Sequence, residues 1–448
     1  MINARTLAYQ LLLHMEQNLS HPDRLIRVML ERNPQLDERE RALFTELTYG
    51  VLRWQGRLDW HIDQLSATKP SKVLPSIRIL LRLALYQVLF LDRIPHHAAV
   101  NEAVKLTRAS HPAHLAGFVN GILRAAIRQG DAWNWPSAQQ HPAGYLAVTA
   151  AHPLWLIDRW LPELGFTETE ALCRANNTVA PMVLRVNRLK TDTAEVLSWC
   201  RTAGLNAEPS PILSDAIRLV GPRQDLGVSE IHRQGWVQIQ DEASQLVGHL
   251  VAPQPGERLL DLCSGFGGKA THLGILMGNH GSITAMDASA WKLEQLRQNA
   301  ERQGIEIIQT VAANVLELDL QEWQGFDRVL LDAPCSGFGS LRRNPDIKWR
   351  RHPKDPYRFS QHQGELLHQA AHFVKQGGVL VYATCTLLQE ENEAVVERFA
   401  SLHPHFVLEE AADLLPRNDP PAHDGRFLKT WPHRHNMDGF FAARWRRA

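Results

Sequence analysis

The sequence predicts an α/β protein in three parts: an all-α domain over residues 1–140, a small α/β subdomain over 146–234, and a doubly wound α/β domain over 235–448. Three observations carry this. Apolar residues recur with helical spacing, without strand signals, from residue 2 to about 130. A mixture of short strands and helices follows, and from Arg258 onward strand and helix patterns alternate. A chain of 448 residues has room for about three domains.

The helical part opens with Leu7, Leu11, Leu12 and Met15, then Leu43, Leu47, Val51 and Leu52. Ile77, Leu80, Leu81, Ala84, Leu85, Val88 and Leu89 leave little polar face, so their helix belongs at the centre of a bundle. Leu115, Phe118, Val119, Ile122, Leu123, Ala126 and Ile127 form one stripe that ends at Gly130, a C-cap position. Two prolines and a glycine between Asp131 and Tyr145 mark a linker.

Helices are expected over 154–161 and, through the capping box Thr167-x-x-Glu170, after it. Met182–Asn187, Ala216–Val220 and Trp236–Gln240 read as strands, and Asp192-x-x-Glu195 caps a helix between the first two. In the last part, strands are expected at Arg258–Cys263, Ser282–Asp287, Ile305–Val311, Phe326–Asp332 and Val379–Thr384, with helices starting at Lys269, Ala290, Ser360 and Gln389. Phe440 to Trp445 supplies a late strand, antiparallel and at or near an edge.

Composition narrows the function. The 48 Lys and Arg balance the 48 Asp and Glu, yet the distribution is uneven. Residues 1–145 hold 17 basic against 12 acidic side chains, and 339–358 hold seven against two, compatible with faces that dock phosphates. The five cysteines, Cys173, Cys200, Cys263, Cys335 and Cys385, form no Cys-x-x-Cys pair, which argues for a reducing compartment and against a zinc ribbon. The N-terminus lacks the apolar run of a signal peptide, and the apolar stretch 77–91 is broken by Arg78, Arg82 and Gln87. A cytoplasmic protein without a membrane partner is expected.

Asp261-Leu262-Cys263-Ser264-Gly265-Phe266-Gly267-Gly268-Lys269 follows a strand and opens a helix, and Asp287 ends the next strand, where a carboxylate can accept ribose hydroxyls. This suits either NAD or S-adenosylmethionine, although a Gly-x-Gly-x-x-Gly fingerprint is absent. The run Val329 to Gly339 reads as a buried strand that delivers Asp332 and Cys335 at its carboxyl end.

Three segments, Arg39 to Phe44 with Tyr49-Gly50-Val51, Ile94 to Val104, and Gly117 to Arg124, resemble the NusB-type antitermination domain, which implies RNA docking by the helical part. Asp332-Ala333-Pro334-Cys335-Ser336-Gly337-Phe338-Gly339, Arg342 to Trp349, and Tyr382-Ala383-Thr384-Cys385-Thr386 closely resemble the RNA (cytosine-5) methyltransferases. With the NusB-like part, the match is to their Sun/Fmu group, which modifies 16S ribosomal RNA. The resemblance implies a Rossmann-like domain that uses S-adenosylmethionine, held by Cys263, Ser264, Gly265, Phe266, Gly267, Gly268, Lys269, Asp287, Asn314 and Asp332. Two features depart from the family: Gly265-Phe266 stands where Ala-Pro is usual, and Asn314 where an Asp usually meets adenine. In the family the preceding subdomain helps hold RNA, which directs attention to Arg185, Asn187 and Arg188.

Carbon 5 of cytosine is a weak nucleophile, and a thiolate added to carbon 6 makes it enamine-like. Thr386-x-x-Gln389 reads as a capping box, placing Cys385 before a helix N-terminus that favours a thiolate. The resemblance likewise assigns Cys385 as nucleophile and Cys335 to product release, while Asp332 is placed to bind the cytosine edge through N3 or the exocyclic amine. Lys269 and Lys348 are candidates to orient cofactor or base. Cys263 also packs at its strand end, and Cys173 and Cys200 belong to helix cores. No metal is expected: His403-x-His405 and His433-x-His435 lack a Cys or Glu at ligand spacing, and His96 and His97 suit a helix start. A monomer acting on 16S rRNA is the leading reading. An assembly factor with an inactive methyltransferase fold, and a methyltransferase with a tRNA target, are the alternatives.

Overall fold

The computed structural model describes all residues except 1, 2, 19, 222–225 and 418. The chain divides into two compact units, residues 1–177 with 344–350, and residues 178–343 with 351–448.

The first unit is helical: α1 (Ala4–Gln17), α2 (Pro22–Glu31), α3 (Glu38–Leu65), α4 (Pro75–Phe90), α5 (His96–Ser110), α6 (Ala113–Gln129), α7 (Pro142–Thr149) and α8 (Leu154–Asn176). As its composition requires, α4 is central, with Ile77, Leu80, Leu81, Ala84 and Leu85 at most 1% exposed. Gly130 ends α6 with φ +55°. The expected linker is shorter than its prolines suggest, because Pro142 occupies the first turn of α7, where a missing N–H costs nothing. The two helices expected after it form one span, α8, broken at Gly165 with φ +73°. His96 and His97 open α5 as exposed residues. The short turn Ile347–Arg350 also belongs to this unit.

The second unit holds two sheets. The smaller, ordered β2-β3-β1-β4, contains β1 (Met182–Val186), β2 (Ala207–Pro209), β3 (Ala216–Leu219) and β4 (Val237–Ile239), with α9 (Thr193–Thr202) after β1. Asp192 caps α9 by accepting from the Glu195 N–H at 2.9 Å. Helix α10 (Glu242–Val251) leads into the larger sheet, ordered β10-β12-β9-β8-β5-β6-β7. Its parallel part is β5 (Arg258–Leu262), β6 (Ser282–Asp287), β7 (Ile308–Ala312), β8 (Phe326–Asp332) and β9 (Val374–Thr384). Helices α11 (Gly268–Leu276), α12 (Ala290–Gln303), α13 (Asp355–Phe373) and α14 (Glu393–Leu402) alternate with these strands. β10 (Phe406–Glu409) and the two-residue β11 (Leu428–Lys429) both pair antiparallel with β12 (Phe441–Arg447). β12 is the expected late strand, and it lies one position inside the edge, between β9 and β10.

Val329, Leu330 and Leu331 of β8 are fully buried on both faces, which explains their unbroken apolar run. Strand order reverses around β5, whose neighbours are β6 on one side and β8 on the other. Ligands of open α/β sheets gather beyond the strand ends at such a switch point.

Two expectations need correction. Arg185 and Asn187 are at most 1% exposed and cannot present themselves to RNA. Arg185 reaches Gln240 Oε1 and the Gly268 carbonyl at 2.6 Å, Gln303 Oε1 at 2.8 Å and Thr271 Oγ1 at 3.0 Å. Asn187 donates to the Gly235 and Gln303 carbonyls. Both residues tie the small sheet to α11 and α12, while Arg188 remains exposed. Lys348 is the second case. It lies in the helical unit, fully buried, with its ammonium on the Arg53 and Ala151 carbonyls and Asn177 Oδ1 at 2.7–3.0 Å.

Candidate active site

Three strand ends of the second unit build the site. The turn after β5 is shaped by backbone: Cys263, Gly265 and Gly267 all have positive φ. At Gly267 (φ +80°) a Cβ would lie 2.3 Å from Leu296 Cγ, so only glycine permits the close approach of this turn to α12. Ser264 donates to the Asp261 carbonyl at 2.7 Å. The Asp287 carboxylate, at the end of β6, accepts from the Gly265 N–H at 3.0 Å and the Ser289 N–H at 2.8 Å. Oδ2 also lies 3.5 Å from the Lys292 ammonium, while Oδ1 keeps a further lone pair for a ligand hydroxyl. Phe266 and Trp291, each 52% exposed, meet edge to face beside this turn. Asn314 caps its own turn, accepting from the Leu316 N–H at 3.2 Å and donating to Glu317 at 2.8 Å.

Asp261 is fully buried with neither carboxylate oxygen hydrogen-bonded. Burial, reinforced by the Asp332 charge, pushes its carboxyl up to about 8, so it is protonated at neutral pH. Cys263 is raised to about 12 by burial and stays a thiol. Lys269, on the first turn of α11, bonds Asp332 Oδ2 at 2.6 Å and lies 5.1 Å from the Phe440 ring centroid. Burial works against its charge, but Asp332 prevails and the ammonium is held above its ordinary range.

β8 and β9 are neighbouring parallel strands with Asp332 opposite Ala383, so their next loops run side by side. The sulfur atoms of Cys335 and Cys385 are 3.3 Å apart. Gly339 donates its N–H to the Cys385 carbonyl at 2.9 Å and accepts from Gly439 at 2.8 Å. A Cβ there would lie 1.8 Å from the Gly439 carbonyl oxygen.

The expected capping box at Thr386-x-x-Gln389 does not form. Thr386 turns its hydroxyl to Ser336 Oγ at 2.8 Å and to Glu391 Oε1 at 3.3 Å, and a single 3-10 turn, Gln389–Glu391, precedes α14 without a side-chain cap. Glu391 instead serves as the buried fastener of both thiol loops. It accepts from the Ser336 N–H at 2.8 Å, the Ser336 hydroxyl, and Gln363 at 3.1 Å, and its own carbonyl accepts from Tyr382 at 2.5 Å. Arg351 adds bonds to the Ser336 and Cys335 carbonyls at 2.9 and 3.3 Å.

The helix-start argument for Cys385 therefore fails. The hydrogen bond with Cys385, then burial and the Glu391 charge, hold Cys335 well above the ordinary thiol range. Sequence reasoning missed Glu391 and Gln363, because nothing in a run of glutamates marks which one turns inward.

The remaining cysteines, Cys173 and Cys200, are buried in helices, as expected. His403 pairs with His368 at 2.9 Å, and His435 accepts from the Trp431 N–H at 2.8 Å, so both act in packing.

Among the residues expected to hold S-adenosylmethionine, Cys263 through Lys269, Asp287 and Asp332 converge around β5, and the glycine cradle, the open lone pair of Asp287 Oδ1 and the unpartnered acid of Asp261 fit such a group. Asn314 faces its own turn.

Three family models match the chain: 16S rRNA methyltransferase RsmB/F over 248–446, the NusB family over 2–128, and the RsmF/B-like ferredoxin-like domain over 152–225. The Bacillus subtilis probable ribosomal RNA small subunit methyltransferase B is 37% identical over 98% of this chain and 97% of its own length. The Synechocystis relative of the same description is 35% identical over the full length of both. Among solved structures, that of PH0851 superposes with TM-score 0.81 at 28% identity over 99% of each chain. Pyrococcus horikoshii NSun6 with SFG covers 66% of this chain and 98% of its own at TM-score 0.60 and 21% identity, a likeness of fold. With such identity along its whole length and all three domain models in order, the chain belongs to the S-adenosylmethionine-dependent ribosomal RNA small subunit methyltransferase B family, the Sun/Fmu group.

Proposed function

We propose that the protein methylates carbon 5 of a cytosine in 16S rRNA through a covalent bond between Cys385 and carbon 6 of the base. The observation that carries this reading is the pair of sulfurs 3.3 Å apart beside the Lys269–Asp332 pair. S-adenosylmethionine supplies an electrophilic methyl group when bound.

In this reading Cys385 adds to carbon 6 as a thiolate, with the Cys335 S–H donating to its sulfur. Asp332, held by Lys269, accepts from the exocyclic amine of the cytosine and fixes the ring over the thiolate. Once carbon 5 has taken the methyl group, its proton passes to water and the carbon 6–sulfur bond breaks. The electron pair of that bond returns to Cys385, whose negative charge the protonated Cys335 stabilises as it leaves. A thiol held above its ordinary range suits that donor role.

The helical unit is the second element of the proposal. Its exposed arginines, among them Arg24, Arg27, Arg39, Arg108 and Arg124, support RNA docking through phosphates. Methyl-labelled cofactor, undermodified small-subunit RNA and the purified protein test the reading: label should reach carbon 5 of a single cytosine. Label on another atom, or RNA binding without transfer, would sink it.

A further inference from the structure

Away from the thiols, three side chains of the second unit converge without hydrogen-bond partners. Asp215 lies in the turn before β3, His249 on α10 and His272 on α11. His249 Nε2 is 3.8 Å from Asp215 Oδ1, and His272 Nε2 is 3.9 Å from Asp215 Oδ2, contacts too long to be hydrogen bonds. One donor atom from each residue lies within 4.8 Å of the other two. Among the described residues this is the one group of three such side chains placed to hold an ion.

The burial of these groups makes their lack of partners informative. His272 is 0% exposed and neither ring nitrogen is hydrogen-bonded; Asp215 is 5% exposed and its Oδ1 is unpartnered. A buried polar group left unsatisfied is destabilising, and here several such atoms face one point. The imidazole is admitted by Gly248, where a Cβ would lie 2.5 Å from His272 Nδ1. Arg185, the nearby cation, is already held by Gln240, Gly268, Thr271 and Gln303, so the Asp215 carboxylate is left to the two histidines.

We propose that Asp215, His249 and His272 form a structural site for a divalent transition metal, with zinc the best fit. Two imidazole nitrogens and one carboxylate are zinc donors, and bonds of about 2.0–2.1 Å in tetrahedral geometry place donors about 3.4 Å apart. Closing spacings of up to 4.8 Å to that value takes at most about 0.7 Å of movement at each side chain. Water completes the coordination, and the 26% exposure of the His249 side chain gives the ion a route in. The metal joins the turn before β3 to α10 and α11, a structural clamp independent of the methyl-transfer reaction.

The test uses the full-length protein freed of metal by chelation and titrated with Zn²⁺ against a chromogenic chelator, with Co²⁺ as the spectroscopic probe. One equivalent should bind, raise the thermal midpoint, and give with Co²⁺ a tetrahedral visible spectrum without thiolate charge transfer. Asp215→Asn and His249→Gln should each weaken Zn²⁺ by about tenfold or more and abolish the thermal shift. Because His272→Ala in the interior can prevent folding, these two variants carry the decision. No binding, binding unchanged in both variants, or a thiolate band that vanishes in Cys335→Ala would each overturn the proposal, the last by locating the ion at the thiol pair.

Discussion

The sulfur atoms of Cys335 and Cys385 lie 3.3 Å apart although the residues are 50 positions distant in the chain. Their contact follows from the parallel pairing of β8 with β9, which ends both strands at one level, and from Gly339, whose N–H ties the first thiol loop to the carbonyl of Cys385 itself.

The first prediction concerns the division of labour. Cys385→Ala should abolish both methyl transfer and any covalent RNA species, a loss of about 10³-fold or more for a covalent nucleophile. Cys335→Ala should instead accumulate a protein–RNA adduct that survives denaturing electrophoresis. An adduct formed by Cys385→Ala would reverse the roles.

Gly339→Ala introduces a methyl group 1.8 Å from the Gly439 carbonyl oxygen and 2.8 Å from that of Cys385. The backbone must shift, at a cost of about 1–3 kcal/mol. Chemical denaturation should show that loss, and adduct formation should slow more than cofactor binding weakens. Unchanged stability would contradict the described packing of the two loops.

Asp261 makes stability fall as pH rises. Its folded carboxyl is raised to about 8, above the value of about 4 for an unfolded aspartate, so between these limits the folded state holds the proton that the unfolded state has lost. The stabilising contribution is complete below about pH 4 and is lost progressively as pH climbs through 8. Asp261→Asn removes this titration: the thermal midpoint of the variant should decline less between pH 5 and 9 than that of the wild type. Parallel slopes would exclude a raised Asp261.

Arg185→Met removes four hydrogen bonds from a fully buried guanidinium. The acceptors left behind should lower stability by about 3 kcal/mol or more, measured by urea unfolding. Arg188→Ala, at an exposed position, should leave stability within about 0.5 kcal/mol of the wild type. A reversed order would mean that Arg185 is not the buried tie it is described to be.

Much of this molecule can be read from local pattern. The strands that carry the chemistry announce themselves, because a strand buried on both faces, such as Val329 to Leu331, must be continuously apolar and must stop where Asp332 and Pro334 begin. The helical periodicity of residues 4–129, the glycine turn after β5 and the motifs around Cys335 and Cys385 are local in the same sense, and from them followed the fold class, the family and its methyl donor.

Only the tertiary structure decided matters that depend on which side chain turns inward. Arg185 and Asn187 looked like surface candidates for RNA, yet the small sheet packs them against α11 and α12. Thr386 had the spacing of a cap, but the hydroxyl of Ser336, 50 residues away, takes it into the Glu391 network. Asp215, His249 and His272 have no ligand spacing in the chain at all and meet through packing alone. Periodicity reports the face a residue occupies, whereas partners distant in sequence are fixed by how strands and helices register against one another, and that register is a property of the folded whole.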